Sequence, residues 1–139
     1  MPRILACLIC FLEAICCTAA HGAETPPSPA VQAALDGDGV QRIRMVGGSY
    51  FFKPAHIVVK ARTPVEITIT KEAGAAPHTF VLQAPQAGIS INESLATEPK
   101  TITFTPTAAG KYAFYCDSRF LFMASHKEKG MEGILEVVE

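Results

Sequence analysis

Tryptophan is missing from this 139-residue chain, whose aromatic content rests on eight Phe and three Tyr. Net charge is −1, with 12 Lys and Arg against 13 Asp and Glu. That balance does not suggest nucleic acid, which calls for a clustered basic face. The motifs of several enzyme classes are also absent: there is no Gly-x-Ser-x-Gly, no His-Glu-x-x-His and no phosphate loop. There is no internal repeat, no low-complexity tract and no long helical pattern. A chain of this length fits one domain.

Cysteine is scarce outside the opening segment. The chain has five, but Cys7, Cys10, Cys16 and Cys17 all lie in "MPRILACLICFLEAICCTAAHGAE". That stretch opens with Arg3, runs apolar from Ile4 to Cys17 and ends in small residues, which is the layout of a secretory signal. Its apolar run is short for a bilayer span, and Glu13 interrupts it. Cleavage would follow Ala20, Gly22 or Ala23, and His21 then leaves with the signal or stays in the lead. An uncleaved membrane anchor is the competing reading. A lipoprotein is disfavoured, because Cys16 and Cys17 lack the preceding small-residue pattern. On this reading residues 1–23 are a signal, 24–40 a Pro-rich lead with one short helical turn, and 41–139 the folded domain. The protein would be periplasmic or otherwise exported, with no membrane span after cleavage, and a monomer.

The exported domain then keeps a single cysteine, Cys116, which cannot close an internal disulfide. Free thiols are prone to oxidation outside the cytoplasm. Cys116 is therefore either buried and inert or held by a metal.

From Gln41 onward the hydrophobic pattern has period two. Val65, Ile67 and Ile69 alternate with Glu66, Thr68 and Thr70; Ile102 and Phe104 alternate with threonines; Tyr112, Phe114 and Cys116 share one side. "RIRMV", "SYFF", "HIVVK", "HTFVLQ" and "GILEVVE" complete the strand candidates. Turn residues separate them in "VGGS", "KARTP", "EAGAAP", "APQAG" and "TPTAAG". About seven to eight short strands imply an all-β, antiparallel, Greek-key β-sandwich. "DGDG" reads as a turn, since it lacks calcium-loop ligand spacing.

The candidate ligands sit at strand ends. Cys116 closes the "GKYAFYC" strand and points inward by alternation. His126 and Met131 follow in the next loop, before "GILEVVE" resumes strand. His78 begins another strand and is placed to reach the same end. Two imidazoles, a thiolate and a thioether are the ligands of a blue-copper site: a His2Cys plane with a weak axial Met. Soft sulfur suits Cu(I) and imidazole suits Cu(II), so such a set holds either state with little rearrangement. A Cys-His-His set also suits zinc. Met123 rivals Met131 as the axial ligand. His56 falls on an outer face, opposite Ile57 and Val59.

The stretch from Ser49 to Glu139 resembles the cupredoxins. The features that carry the resemblance are "YFFKPAHIVVKARTPVEITIT", the "PHTF" histidine and "YC…H-x4-M-x-G…LEVVE". It implies a Greek-key sandwich, one copper ion, His78, Cys116 and His126 as equatorial ligands and Met131 as the axial one. It also implies shuttling of single electrons between redox proteins, such as c-type cytochromes or an oxidase or reductase, rather than enzymatic turnover. A copper chaperone or buffer using the same ligands is the alternative. Two departures stand out. Nine residues separate Cys116 from His126, more than in most small blue-copper proteins, and Thr79 follows His78 where many cupredoxins carry Asn. The long loop holds the apolar run Phe120, Leu121, Phe122 and Met123, which either caps the sandwich end or stays exposed beside His126.

Overall fold

The computed structural model describes residues 28–139. The signal reading for residues 1–23, and the opening of the Pro-rich lead, lie outside the described residues.

Among the described residues, eleven strands form two facing sheets. The strands are β1 (Val31–Gln32), β2 (Ala34–Leu35), β3 (Gln41–Gly48), β4 (Phe51–Lys53), β5 (His56–Lys60), β6 (Val65–Lys71), β7 (Thr79–Ala84), β8 (Ile89–Ser94), β9 (Lys100–Phe104), β10 (Gly110–Tyr115) and β11 (Glu132–Val138). One sheet has the order β1-β5-β11-β10-β7-β8; the other runs β2-β3-β6-β9, with β4 paired to β3. The result is an all-β Greek-key sandwich. Among the described residues no helix is long and apolar enough to cross a membrane.

Alternation drives this arrangement. Val65, Ile67 and Ile69 are fully buried, as are Ile57 and Val59, and each set faces the space between the sheets. Phe52, Phe80 and Phe114 meet at the centre with ring centroids 5.2–5.8 Å apart, two of the three contacts edge-to-face. This aromatic cluster lies beneath the end of the sandwich where Cys116 emerges. His56 stays on the outer face, where its Nε2 pairs with Glu136 at 2.8 Å.

Three features differ from the sequence expectation. The "VQAALD" stretch forms β1 and β2 rather than a helical turn. Its backbone groups find partners in β5 and β3, and Ala33 is buried between them, so tertiary pairing overrides a local preference. The sheets are mixed rather than purely antiparallel, because β1–β5, β5–β11 and β3–β6 pair in parallel. Finally, β8 was not anticipated, although Ile89 and Ile91 are buried while Ser90 and Asn92 are exposed. The "APQAG" turn before it is a single 3-10 turn closed by Gly88.

Candidate metal centre

Strand pairing explains why distant residues converge. β7 and β10 are antiparallel with Tyr115 opposite Val81, so the start of β7 and the end of β10 share one end of the sandwich. His78 directly precedes β7, and Cys116 directly follows β10. β10 and β11 pair with Tyr115 opposite Glu132, which sets Cys116 beside Met131. The Cys116 N–H donates to the Met131 carbonyl at 3.0 Å, and the Met131 N–H donates to the His126 carbonyl at 2.9 Å. The His126 N–H donates to the Ser118 carbonyl at 2.8 Å. Thus the loop between β10 and β11 is tied across its own width.

Within this frame His78 Nδ1, His126 Nδ1 and Cys116 Sγ face one another. The nitrogens are 3.0 Å apart, and the sulfur lies 3.5 Å from His126 and 3.9 Å from His78. All three residues are buried, Cys116 completely. Donors about 2.0–2.3 Å from one ion in a trigonal plane stand about 3.5 Å from each other, so the spacing suits a single metal. Two ring nitrogens this close share at most one proton, and two bare lone pairs repel. A cation between them removes that conflict. Burial foremost, then the neighbouring His126 and Lys71, holds the His78 pKa below its ordinary value. Burial and then Lys129 do the same for His126. Both shifts favour the neutral ring, the form that ligates metal.

The two candidate thioethers differ sharply in placement. Met131 is fully buried, and a Cβ added at Gly47 in β3 would stand 3.4 Å from its methyl carbon. Met123 is 54% exposed and lines a groove together with Tyr50, Phe120 and His126. The glycines around Met131 have distinct reasons. Gly130 takes φ +93°, a left-handed backbone. Gly133 lies so close to β5 and β10 that a Cβ would fall 2.3 Å from the Phe114 ring and 2.4 Å from the Ala55 carbonyl.

Thr79, the residue after His78, serves the sulfur. Its backbone N–H donates to Cys116 Sγ at 3.3 Å. Its hydroxyl lies 2.6 Å from Asp117 Oδ1 and 3.6 Å from the sulfur, so its single proton goes to the carboxylate. The Asp117 N–H donates back to the Thr79 hydroxyl at 3.0 Å. Sequence reasoning missed this lock between the two ligand strands. It also missed Tyr50, whose ring packs edge-on to His126 with centroids 5.1 Å apart. The hairpin was legible in "VGGSYFF", but nothing in that string says where the Tyr50 ring points.

Fold and donor set together define a class: a Greek-key β-sandwich with one site suited to a single copper ion. Residues 7–131 match the family described as "Cupredoxin-like domain", and the chain belongs to that family. Among curated proteins none matches. Solved structures do. The metal-binding domain of the Cu(I)-exporting P-type ATPase CopA of Streptococcus pneumoniae D39, solved with Cu(I), is 28% identical with a TM-score of 0.60. That match covers 81% of this chain and 98% of that one. A copper-binding protein solved by NMR in the apo form is 21% identical, with a TM-score of 0.58 over 80% of this chain and 99% of that one. Dithionite-reduced auracyanin from Roseiflexus castenholzii is 21% identical, with a TM-score of 0.56 over 70% of this chain and 97% of that one.

Proposed function

We propose that the chain is an exported mononuclear copper protein that passes single electrons between redox partners. In this reading His78, Cys116 and His126 supply the trigonal plane and Met131 the axial thioether. Bound copper supplies the one-electron couple. The chain's own residues hold the donors in place, exclude water and leave one edge of the site near the surface. The observation that carries the reading is the closure of the cluster: three buried donors already face each other, and the sulfur is held by the Thr79 N–H. A site that need not rearrange between two charge states favours electron passage. The export reading rests on the opening segment, and the partners would be c-type cytochromes or an oxidase or reductase.

Copper carriage is the second reading, favoured by the 28% identity to a domain of a Cu(I)-exporting ATPase. Carriage calls for an accessible ion that leaves readily, whereas here Cys116 is fully buried. Absorption and EPR spectra of the copper-loaded domain test the assignment. A visible sulfur-to-copper charge-transfer band is expected, and it disappears in Cys116→Ser. A colourless protein under oxidising, copper-replete conditions overturns the reading. Rapid copper loss to an apo-acceptor would favour carriage instead.

A further inference from the structure

Tyr50 occupies a backbone conformation that its own chemistry does not favour. It sits in the β3–β4 hairpin at φ +64°, in the left-handed region where a bulky residue is an outlier. Strain of this kind persists where the surroundings over-determine it, and it concentrates at functional sites. The core does not demand it, since Tyr50 is 41% exposed. Its contacts are at the metal centre. The ring meets that of His126 at 5.1 Å with planes at 79°. Lys129 lies 4.6 Å from the Tyr50 ring centroid, and its ammonium donates to the Tyr50 hydroxyl at 3.1 Å.

This contact bears on how the His126 ring is oriented. A metal-bound histidine usually donates its second ring nitrogen to a carboxylate, carbonyl or water, which fixes the ring. Among the described residues, the protein hydrogen bonds of the His126 ring all use Nδ1, toward Cys116 and His78; Nε2 has no protein partner and is open to solvent, where a mobile water orients a ring less firmly than a carboxylate or carbonyl fixed in the fold. Its aromatic neighbours are the Tyr50 ring and, at 4.8 Å, that of His78.

We propose that Tyr50 is a positioning residue for the copper centre: its ring, clamped by Lys129, fixes the plane of His126, whose Nε2 has no protein partner to do so. The role rests on the copper reading above. It explains why tyrosine stands at a turn position that glycine or asparagine would fill without strain.

Tyr50→Gly and Tyr50→Asn both suit the left-handed backbone and remove the ring, while Tyr50→Phe keeps the ring and loses the hydroxyl. In the copper-free protein, melting temperatures of the first two should equal or exceed that of wild type. Their His126 ring-proton NMR shifts should move toward those of a free imidazole. Copper affinity should fall about ten- to a hundredfold, the range for losing a ligand-orienting partner. Tyr50→Phe should keep the shifts and most of the affinity. Wild-type ring shifts and wild-type affinity in both Tyr50→Gly and Tyr50→Asn would overturn the role while leaving the copper reading intact. A wild-type protein that binds no copper would remove that reading and this role with it.

Discussion

The loop between β10 and β11 has two halves that obey different rules. Residues 125–131 are tightly organised. The Lys129 N–H reaches the carbonyls of Ser125 and His126, the Gly130 N–H reaches Lys127, and the Met131 N–H reaches His126. The Ser125 N–H and hydroxyl both donate to Glu128 Oε2, at 2.6 and 2.7 Å, and the Glu128 N–H donates to the Ser125 hydroxyl at 3.3 Å. This is the reciprocal logic of a capping box, used to fix one turn. Residues 119–123 are turned outward instead, around a turn in which the Met123 N–H donates to the Phe120 carbonyl at 3.0 Å. Phe120, Leu121 and Phe122 stand 68%, 69% and 101% exposed, and Leu121 adopts φ +47°. One half holds ligand candidates by burying them, and the other displays apolar surface that contributes nothing to the core. Buried and displayed side chains are thus separated within a few residues of one chain.

The sharpest test of that separation compares buried and exposed methionine. Met131→Ala should lower stability by about 2–5 kcal/mol, as for other large-to-small changes at fully buried positions. Met131→Leu nearly conserves volume and should cost less than about 1.5 kcal/mol. As the proposed axial ligand, Met131 tunes potential more than affinity, so the leucine variant should bind copper with a raised potential. Met123→Leu, at an exposed site, should change neither. Chemical denaturation and voltammetry on the three variants read this directly. An exchange of behaviour between Met123 and Met131 would overturn the ligand assignment.

A smaller effect is expected at Ser125. Removing its hydroxyl deletes one donor to Glu128 and the acceptor of the Glu128 N–H, and loss of a comparable cap costs about 1 kcal/mol. Ser125→Ala should therefore lower the melting temperature modestly. Because the turn carries His126, the copper spectrum should broaden as well. An unchanged melting temperature would mean that the backbone bonds alone hold this half of the loop.

Much of the fold was legible because period two is a strong signal where one sheet face is buried. β6, β9, β10 and β11 follow directly from it. What escaped depends on long-range pairing. β1 and β2 have two residues each and exist only because β5 and β3 offer edges. The parallel pairing of β5 with β11 joins residues some 80 positions apart, which no local pattern encodes. At the site, residue types pointed to the cluster, since a lone thiol beyond the opening segment, with two histidines and a methionine, has few other uses. Orientation did not follow from residue type. The Thr79 N–H reaching the sulfur and the Tyr50 ring meeting His126 depend on backbone placement rather than side-chain identity. The fate of the Phe120–Met123 run was open from sequence, because apolar residues are usually buried, and the structure leaves it exposed.

That exposure gives the smallest expected change in stability and a distinct change in function. Phe122 is as exposed as in an extended chain, so Phe122→Ser removes no buried area and should stay within about 0.5 kcal/mol of wild type. The same holds in weaker form for Phe120, which lines the groove shared with His126 and Tyr50. An apolar patch beside a metal centre is a surface on which a partner can settle. Electron passage needs a close approach and a brief encounter, and small, weakly held interfaces provide both. Phe120→Ser and Phe122→Ser should therefore leave the copper spectrum and melting temperature unchanged while slowing electron exchange with a redox partner such as a c-type cytochrome. Were the loop a cap for the core, the same changes would lower the melting temperature and disturb the spectrum. Were it idle, exchange would proceed at the wild-type rate, and docking through this half of the loop would be ruled out.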